Sequence, residues 1–161
     1  MRRKDREVTD TAEIEEIIKG CKTCHVAMAL EGEPYVVPLS FGYERKGETL
    51  TLYFHSAKEG KKLDILHKNS RVCFEMAVEG ELIHTQIPCN SGYYFSSVMG
   101  KGDVEFVEDP EEKRHALSLL MKHQAGRDIV FGEKQAETVC IYKICTRDFG
   151  GKKKALPLHT V

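Results

Sequence analysis

The sequence lacks the features that mark membrane proteins, exported proteins and proteins that bind nucleic acid. No run of apolar residues approaches the roughly 20 that a membrane-spanning helix needs. The N-terminus is basic but turns acidic at once, without the apolar segment of a signal peptide. Lys and Arg number 24 against 25 Asp and Glu, so the net charge of -1 offers no general attraction to nucleic acid. These absences predict a cytoplasmic protein with neither a membrane nor a nucleic-acid partner.

Common catalytic motifs and signs of several domains are missing too. The chain contains no internal repeat, linker, P-loop, dinucleotide fingerprint or zinc-protease motif, and no metal site is predicted. Ser40 and Ser97 have no neighbouring His/Asp arrangement that would make either a hydrolytic nucleophile. With 161 residues, the chain is long enough to bury the core of one domain without cross-links. The prediction is one domain over residues 1–150 and a loosely held extension over 151–161.

The hydrophobic pattern predicts a mainly β protein with helices at the connections. Helical spacing predicts three helices, at 11–20, 58–69 and 110–124, and Asp109 is the expected N-cap of the last one. Strands are predicted at 25–30, 35–43, 49–55, 71–78, 82–87, 93–107 and 138–149. Short turns between most of these strands indicate antiparallel hairpins, one of them turning at 79–81. Together the pattern favours a small antiparallel β-barrel decorated with helices.

Six cysteines are interpreted in a reducing compartment, where a disulfide framework is not expected. Cys73, Cys140 and Cys145 lie inside apolar runs, which is typical of buried structural thiols. Residues 21–25, Cys-Lys-Thr-Cys-His, match the spacing of c-type haem attachment. Because no export signal is found and His25 opens an apolar strand, a helix-to-strand junction is favoured there. A redox-active or metal-reactive thiol pair remains an alternative.

The most informative stretch is a lysine-rich turn where a predicted strand passes into a predicted helix. Lys58, Lys61 and Lys62 crowd the first turn of that helix, where cations oppose the helix macrodipole. A bound anion would make the same arrangement favourable. Backbone N–H groups, Ser56 and the lysines could together hold a phosphate, and Gly60 would allow its close approach. The alternative is a solvated basic loop in which a neighbouring glutamate offsets one charge.

Three segments in a fixed order resemble one known family. They are 32–43 (GEPYVVPLSFGY), 52–64 (LYFHSAKEGKKLD) and 97–102 (SVMGKG). Together they are similar to the pyridoxamine 5′-phosphate oxidase-like flavin-binding split barrels, specifically the branch of 5-nitroimidazole-resistance proteins, over about residues 8–150. The resemblance implies a six-stranded antiparallel split barrel and a homodimer. It also implies FMN bound in two clefts at the dimer interface.

The resemblance also implies which residues contact FMN. The isoalloxazine ring would be lined from the second strand by Val37, Pro38 and Leu39. The flavin and its ribityl chain would be contacted from the third strand by Phe54, His55 and Ser56. The phosphate would be surrounded by residues of the lysine-rich turn, Lys58, Gly60, Lys61 and Lys62. The interface would be crossed by Ser97 and Val98.

The implied activity is FMN-dependent reduction of a small electron acceptor such as a nitroimidazole or another nitroaromatic compound. The flavin supplies the redox chemistry, which suits a sequence without an acid–base pair. No catalytic residue is singled out, although His55 could donate a proton or orient a ligand beside the ring. Where the oxidase has an Arg-Lys pair this chain has Lys58-Glu59, which favours a substrate other than pyridoxamine phosphate. The alternatives are a flavin-binding protein without turnover and a haem-binding split barrel using His25, His55 or His84.

Overall fold

The computed structural model describes residues 3–154, and of Asn90 only the backbone. In this part of the chain the β-strands are β1 Glu7–Val8, β2 Thr23–Leu30, β3 Glu33–Ser40, β4 Gly42–Lys46, β5 Thr49–Ser56, β6 Arg71–Ile83, β7 Gly92–Phe106, β8 Cys140–Thr146 and β9 Phe149–Lys154. The α-helices are α1 Thr11–Gly20, α2 Lys61–Lys68, α3 Pro110–Ala125 and α4 Glu133–Ala136.

The strands form one antiparallel sheet that is not closed. Its main order is β3-β2-β6-β7-β8-β5-β4. One edge of β7 pairs first with β9, through residues 95–100, and then with β8, through residues 104–106. Because β7 changes partner along its length, the sheet splits there, and β3 at one end of the order packs near β5, the strand next to the other end. The mainly β split-barrel fold is thus confirmed. The resemblance implies six strands, whereas the described residues form nine, because β1 and other short strands are counted separately.

The helices cover the sheet much as the sequence predicted. Asp10 caps α1 by accepting from the N–H groups of Ala12 and Glu13, and the helix buries three isoleucines against the sheet. Asp109 caps α3 by accepting from the N–H of Glu112 at 2.8 Å. Such side-chain caps satisfy N–H groups that a helix leaves unpaired at its start. Among the helices of residues 3–154, none is both long and apolar enough to cross a membrane.

The predicted turn at 79–81 is wrong, because β6 continues through it to Ile83. The register between β6 and β7 shifts between Glu79 and Leu82, which is a β-bulge. A Cβ atom on Gly80 would lie 3.1 Å from both the Cβ and the carbonyl oxygen of Tyr94. The glycine therefore permits a close approach of two strands, and residues 84–87 lie outside the strand.

Two other predicted strands are each divided in the structure. The strand predicted at 35–43 breaks at Phe41, whose side chain is fully buried and whose carbonyl accepts from Gln124 at 2.9 Å. The strand predicted at 138–149 ends at Thr146, and the chain turns back through Asp148, whose N–H donates to the Thr146 hydroxyl.

The extension predicted from residue 151 is a strand over 151–154. These residues belong to β9, which pairs with β7 on one side and β1 on the other. The Lys153 ammonium also donates to Glu13 of α1 at 2.6 Å. Backbone pairing on both edges holds this segment, although its sequence is rich in glycine and lysine. The rest of the predicted extension, 155–161, lies outside the described residues.

Candidate functional site

The lysine-rich turn connects the end of β5 to the start of α2. Gly60 is the N-cap of α2, with φ 136° and ψ 160°, and its carbonyl accepts from the N–H groups of Leu63 and Asp64. A side chain is rarely tolerated at this φ, so glycine sets the sharp entry into the helix. The helix therefore begins at Lys61 rather than at the predicted residue 58, and Lys58 lies in the loop before it. The first N–H groups of the helix have no partner inside it.

The lysines of this turn are not paired directly with carboxylates. Lys58, Lys61 and Lys62 form no ion pair within residues 3–154, whereas other lysines, such as Lys143 and Lys153, do. Partial burial lowers the pKa of Lys62, so its charged form is held at some cost. A helix N-terminus with an adjacent group of cations has the charge and the donors to bind an anion.

Two tyrosine rings hold the ammonium groups of this turn. The Lys61 Nζ lies 4.8 Å from the ring centroid of Tyr35 on β3, and the Lys62 Nζ lies 5.8 Å from that of Tyr142 on β8. Tyr142 in turn stacks on Phe54 of β5, with 5.6 Å between ring centroids. Cations over aromatic faces are attracted by the ring quadrupole. The rings therefore fix both lysines beside the start of α2.

The edge strand β3 provides a half-buried face next to this turn. Tyr35, Val37 and Leu39 alternate along β3 and pack partly against the core. Pro38 points to the opposite, exposed face, so its side chain is separated from those of its two neighbours. Within residues 3–154, β3 pairs with β2 alone, so its other edge is free, and a proline is tolerated on such an edge strand.

The structure brings together only some of the residues predicted to contact a flavin. Tyr35 contacts Lys61 of the lysine-rich turn and shares its face of β3 with Val37 and Leu39, and Ser56 ends β5 directly before the turn. The side chains of Phe54 and Val98 are fully buried in the core, so only their backbone could contact a ligand. Ser97 lines a separate groove of about 620 Å³ with Tyr93 and Phe95.

His55 and Ser56 lie at the end of β5, directly before the turn. The Ser56 hydroxyl donates to the carbonyl of Ala57 at 2.8 Å. Partial burial of the imidazole, and secondly the nearby Lys62 ammonium, lower the pKa of His55. The ring is therefore mostly neutral at pH 7, which suits it better to orienting a ligand by hydrogen bonds than to supplying a proton.

Sequence reasoning missed both tyrosines of this site. Tyr35 had a usable signal, because it precedes Val37 by two residues and so shares its face of β3. Tyr142 had none, since it reaches the site only through the pairing of β8 with β5, where it lies opposite Phe54.

The Tyr142 hydroxyl allows a stability prediction, because it is buried without a hydrogen-bond partner in the described residues. Replacing Tyr142 by Phe keeps the ring under Lys62 and removes an unsatisfied polar group, so we expect the free energy of unfolding to rise by about 1 kcal/mol. Tyr53→Phe is the matched control: its hydroxyl donates to Glu44 at 3.0 Å, and we expect a loss of about 1 kcal/mol. Urea denaturation of both variants measures the difference. A clear loss of stability in Tyr142→Phe would contradict the assignment of an unsatisfied hydroxyl.

The cysteine pair at 21–25 forms a buried junction between α1 and β2, as favoured from the sequence. Cys21 is the C-cap of α1, and Cys24 is fully buried. Burial raises the pKa of the Cys21 thiol to about 11 and also raises the pKa of Cys24. Both thiols are therefore protonated at neutral pH and poorly placed for metal binding or exchange. His25 instead contacts Glu75, with 3.3 Å from Nδ1 to Oε2.

Comparison with known proteins agrees with this architecture. The profile of the family described as pyridoxamine 5′-phosphate oxidase matches residues 10–147. A solved structure of a candidate 5-nitroimidazole antibiotic resistance protein from Bacteroides thetaiotaomicron shares 36% identity, with a TM-score of 0.79 over 91% of this chain and 86% of that one. Among curated proteins, no match is found.

Two more distant structures share the fold. An FAD-binding protein from Mesorhizobium loti is 24% identical, with a TM-score of 0.65, and the match covers 93% of this chain and 98% of that one. A flavocytochrome from Azotobacter vinelandii is 20% identical, with a TM-score of 0.79, over 98% of this chain and 73% of that one.

The fold and its relatives together define a split-barrel protein. The chain belongs to the pyridoxamine 5′-phosphate oxidase family. The resemblance stated from the sequence, including that to the 5-nitroimidazole-resistance branch, is confirmed.

Proposed function

We propose that this protein is a cytoplasmic FMN-binding oxidoreductase that reduces a small electron acceptor such as a nitroimidazole or another nitroaromatic compound. The observation that carries the proposal is the group of three lysines at the start of α2. They lack carboxylate partners within residues 3–154 and lie beside a glycine-capped helix N-terminus. Family membership and the flavin-binding relatives support a flavin as the anion's source.

The residues present fit a flavin nucleotide. The first N–H groups of α2 and the ammonium groups of Lys61 and Lys62 would bind the phosphate, and Ser56 would bind it or the ribityl chain. Val37 and Leu39 would pack against the ring from the half-buried face of β3. The redox chemistry belongs to the flavin, and the protein positions it and tunes its potential. His55, mostly neutral at pH 7, would orient the acceptor beside the ring.

We further propose a homodimer with the flavin in the cleft between two chains. One face of the sheet is formed by β3, β2, β6, β7 and β9 and is exposed to solvent. It carries apolar residues, although the solvated face of an antiparallel sheet normally carries polar ones. Val36 is 58% exposed and Met99 is 53% exposed on it. Pro38 and Ser97 belong to the same face, as the register across the strands requires. A second copy docked there would add Ser97 of the partner subunit to the cleft at the edge of β3.

The absorption spectrum of the purified protein, with the released cofactor identified by mass, tests the proposal. We expect the two near-UV and visible bands of a flavin, the mass of a flavin nucleotide, and bleaching by NAD(P)H that a nitroimidazole reverses. A flavin spectrum without bleaching would favour a carrier without turnover, and an intense Soret band would favour haem. A colourless protein that also fails to bind added FMN would overturn the proposal.

A further inference from the structure

A second pocket adjoins the lysine-rich turn at the start of α2. It lies between the β2–β3 hairpin turn and the first turns of α2, and its volume is about 330 Å³. Its lining combines an aromatic ring, an ammonium, two aliphatic side chains and two carboxylates, from Tyr35, Lys61, Leu30, Ile65, Glu31 and Glu33. A cavity of this size, with apolar walls and a few polar groups, is typical of small-molecule sites.

The lining matches the three parts of a nucleoside phosphate. The Tyr35 ring and the aliphatic wall suit a planar base, because every base offers a π-face for stacking. Ionised carboxylates only accept hydrogen bonds, so Glu31 and Glu33 suit the hydroxyl groups of a ribose. An acidic side chain has this role toward the ribose 2′-hydroxyl in dinucleotide-binding folds. The Lys61 ammonium, 4.8 Å from the Tyr35 ring centroid, is placed for a phosphate.

The pocket also continues the line of the flavin site along β3. A strand rises about 3.3 Å per residue, so the step from 38 to 35 is about 10 Å and the step from 35 to 33 about 7 Å more. Along that line lie the proposed ring site at 37–39, then the Lys61 ammonium for the phosphate, then the pocket, which extends from the Tyr35 ring to Glu33. Ring, phosphate and adenosine follow one another in the same order in a flavin adenine dinucleotide.

We propose that this pocket binds an adenosine 5′-phosphate unit whose ribose 2′-hydroxyl is unmodified. The inference rests on the proposed flavin site and extends it. The unit has two chemical sources: the adenosine half of FAD, bound where FMN alone would leave the pocket free, or a separate NADH that supplies electrons. In both cases the two carboxylates reject a phosphate on the 2′-position by like-charge repulsion.

Calorimetric titration of nucleotides into the flavin-free full-length protein tests the pocket by itself. We expect 5′-AMP to bind, and adenosine 2′,5′-bisphosphate to bind at least about tenfold more weakly. Tyr35→Leu should weaken 5′-AMP binding about tenfold, since base stacking contributes that much or more. Glu33→Gln should reduce the difference in affinity between 5′-AMP and adenosine 2′,5′-bisphosphate.

Matched variants separate binding from a general loss of structure. Tyr43→Leu removes another half-buried tyrosine, on β4 beside His123, and Glu48→Gln removes an exposed carboxylate in the turn after β4. Both should bind 5′-AMP as the wild type does, and thermal unfolding should show all four variants folded. No binding of 5′-AMP, or binding that Tyr35→Leu leaves unchanged, would overturn the proposal.

Flavin titrations then distinguish the source of the adenosine. FAD binding about tenfold tighter than FMN, with the difference lost in Tyr35→Leu, would assign the pocket to FAD. Alternatively, both flavins could bind equally, and the FMN-loaded protein could need a higher NADH concentration for reduction in Tyr35→Leu than in the wild type. That result would assign the pocket to NADH. If FMN binds, and Tyr35→Leu changes neither nucleotide binding nor FAD binding, the pocket inference fails while the proposed flavin function stands. If 5′-AMP binds and FMN does not, the proposed flavin function fails while the pocket stands.

Discussion

Replacing both Lys61 and Lys62 by alanine is expected to weaken FMN binding by at least about a hundredfold. Each charge-assisted hydrogen bond to a phosphate contributes about 1.5–3 kcal/mol, and the double variant removes two ammonium donors. Neither lysine forms an ion pair within the described residues, so the substitution leaves no buried carboxylate unpaired. The fold should therefore persist, and quenching of flavin fluorescence during titration measures the loss.

Riboflavin and a second lysine provide the controls. Riboflavin has the ring without the phosphate, so its binding should be nearly equal in the wild type and the double variant. Lys68→Ala removes an exposed lysine at the other end of the same helix and should leave FMN binding unchanged. If the double variant binds FMN as tightly as the wild type, the phosphate does not bind at this turn. A parallel loss for riboflavin would mean that the substitution distorts the ring site instead.

The lysine-rich turn could be located from sequence because its signal is local. Three cations at the start of a short helix are unfavourable unless an anion is bound, and that argument needs only the spacing of Lys58, Lys61 and Lys62. What the spacing could not supply is the boundary of α2. Gly60 is compatible with the first turn of a helix by pattern alone, and only its backbone angles show that the helix starts after it.

The orientation of strand residues was harder to predict. Side chains alternate between the two faces of a strand, so Phe54 lies with Leu50 and Leu52 on the buried face of β5. Tyr53 is buried as well, because α3 covers the opposite face. A strand covered on both sides shows no alternation that would separate ligand-facing from core-facing residues. Val98 lies between Ser97 and the exposed Met99, so hydrophobicity alone did not indicate which of the two apolar residues faces the core.

Long-range pairing accounts for the remaining differences. The sequence 150–154, Gly-Gly-Lys-Lys-Lys, has little intrinsic preference for a strand, and its place in the sheet depends on the free edge that β7 offers before β8 pairs with it. The same glycine pattern that indicates a turn at 79–81 also fits a bulge in a continuing strand. The turn and the bulge differ only in how the neighbouring strand pairs with this segment, and sequence spacing carries no information about that pairing.

Met99→Lys is expected to break the proposed homodimer and release its flavin. Across the exposed sheet face, Met99 lies directly opposite Glu75, which in turn lies opposite His25. In a free monomer a lysine at this 53% exposed position meets water and a neighbouring carboxylate, so folding should not suffer. Buried against a second copy, the same ammonium loses its hydration, a cost of several kcal/mol that one exposed ion pair does not offset.

The measurement is the sedimentation of the FMN-loaded protein over a dilution series, with bound flavin read from its visible absorbance. We expect the wild type to remain dimeric, and Met99→Lys to dissociate at a concentration at least about a hundredfold higher. Val130→Lys is the matched control, because Val130 is 95% exposed in the segment after α3 and lies outside the sheet face. Flavin should leave in step with dissociation, because each cleft needs residues of both chains. A folded Met99→Lys monomer that keeps its flavin would show that one chain suffices for binding, and that Ser97 of the partner subunit has no part in the site.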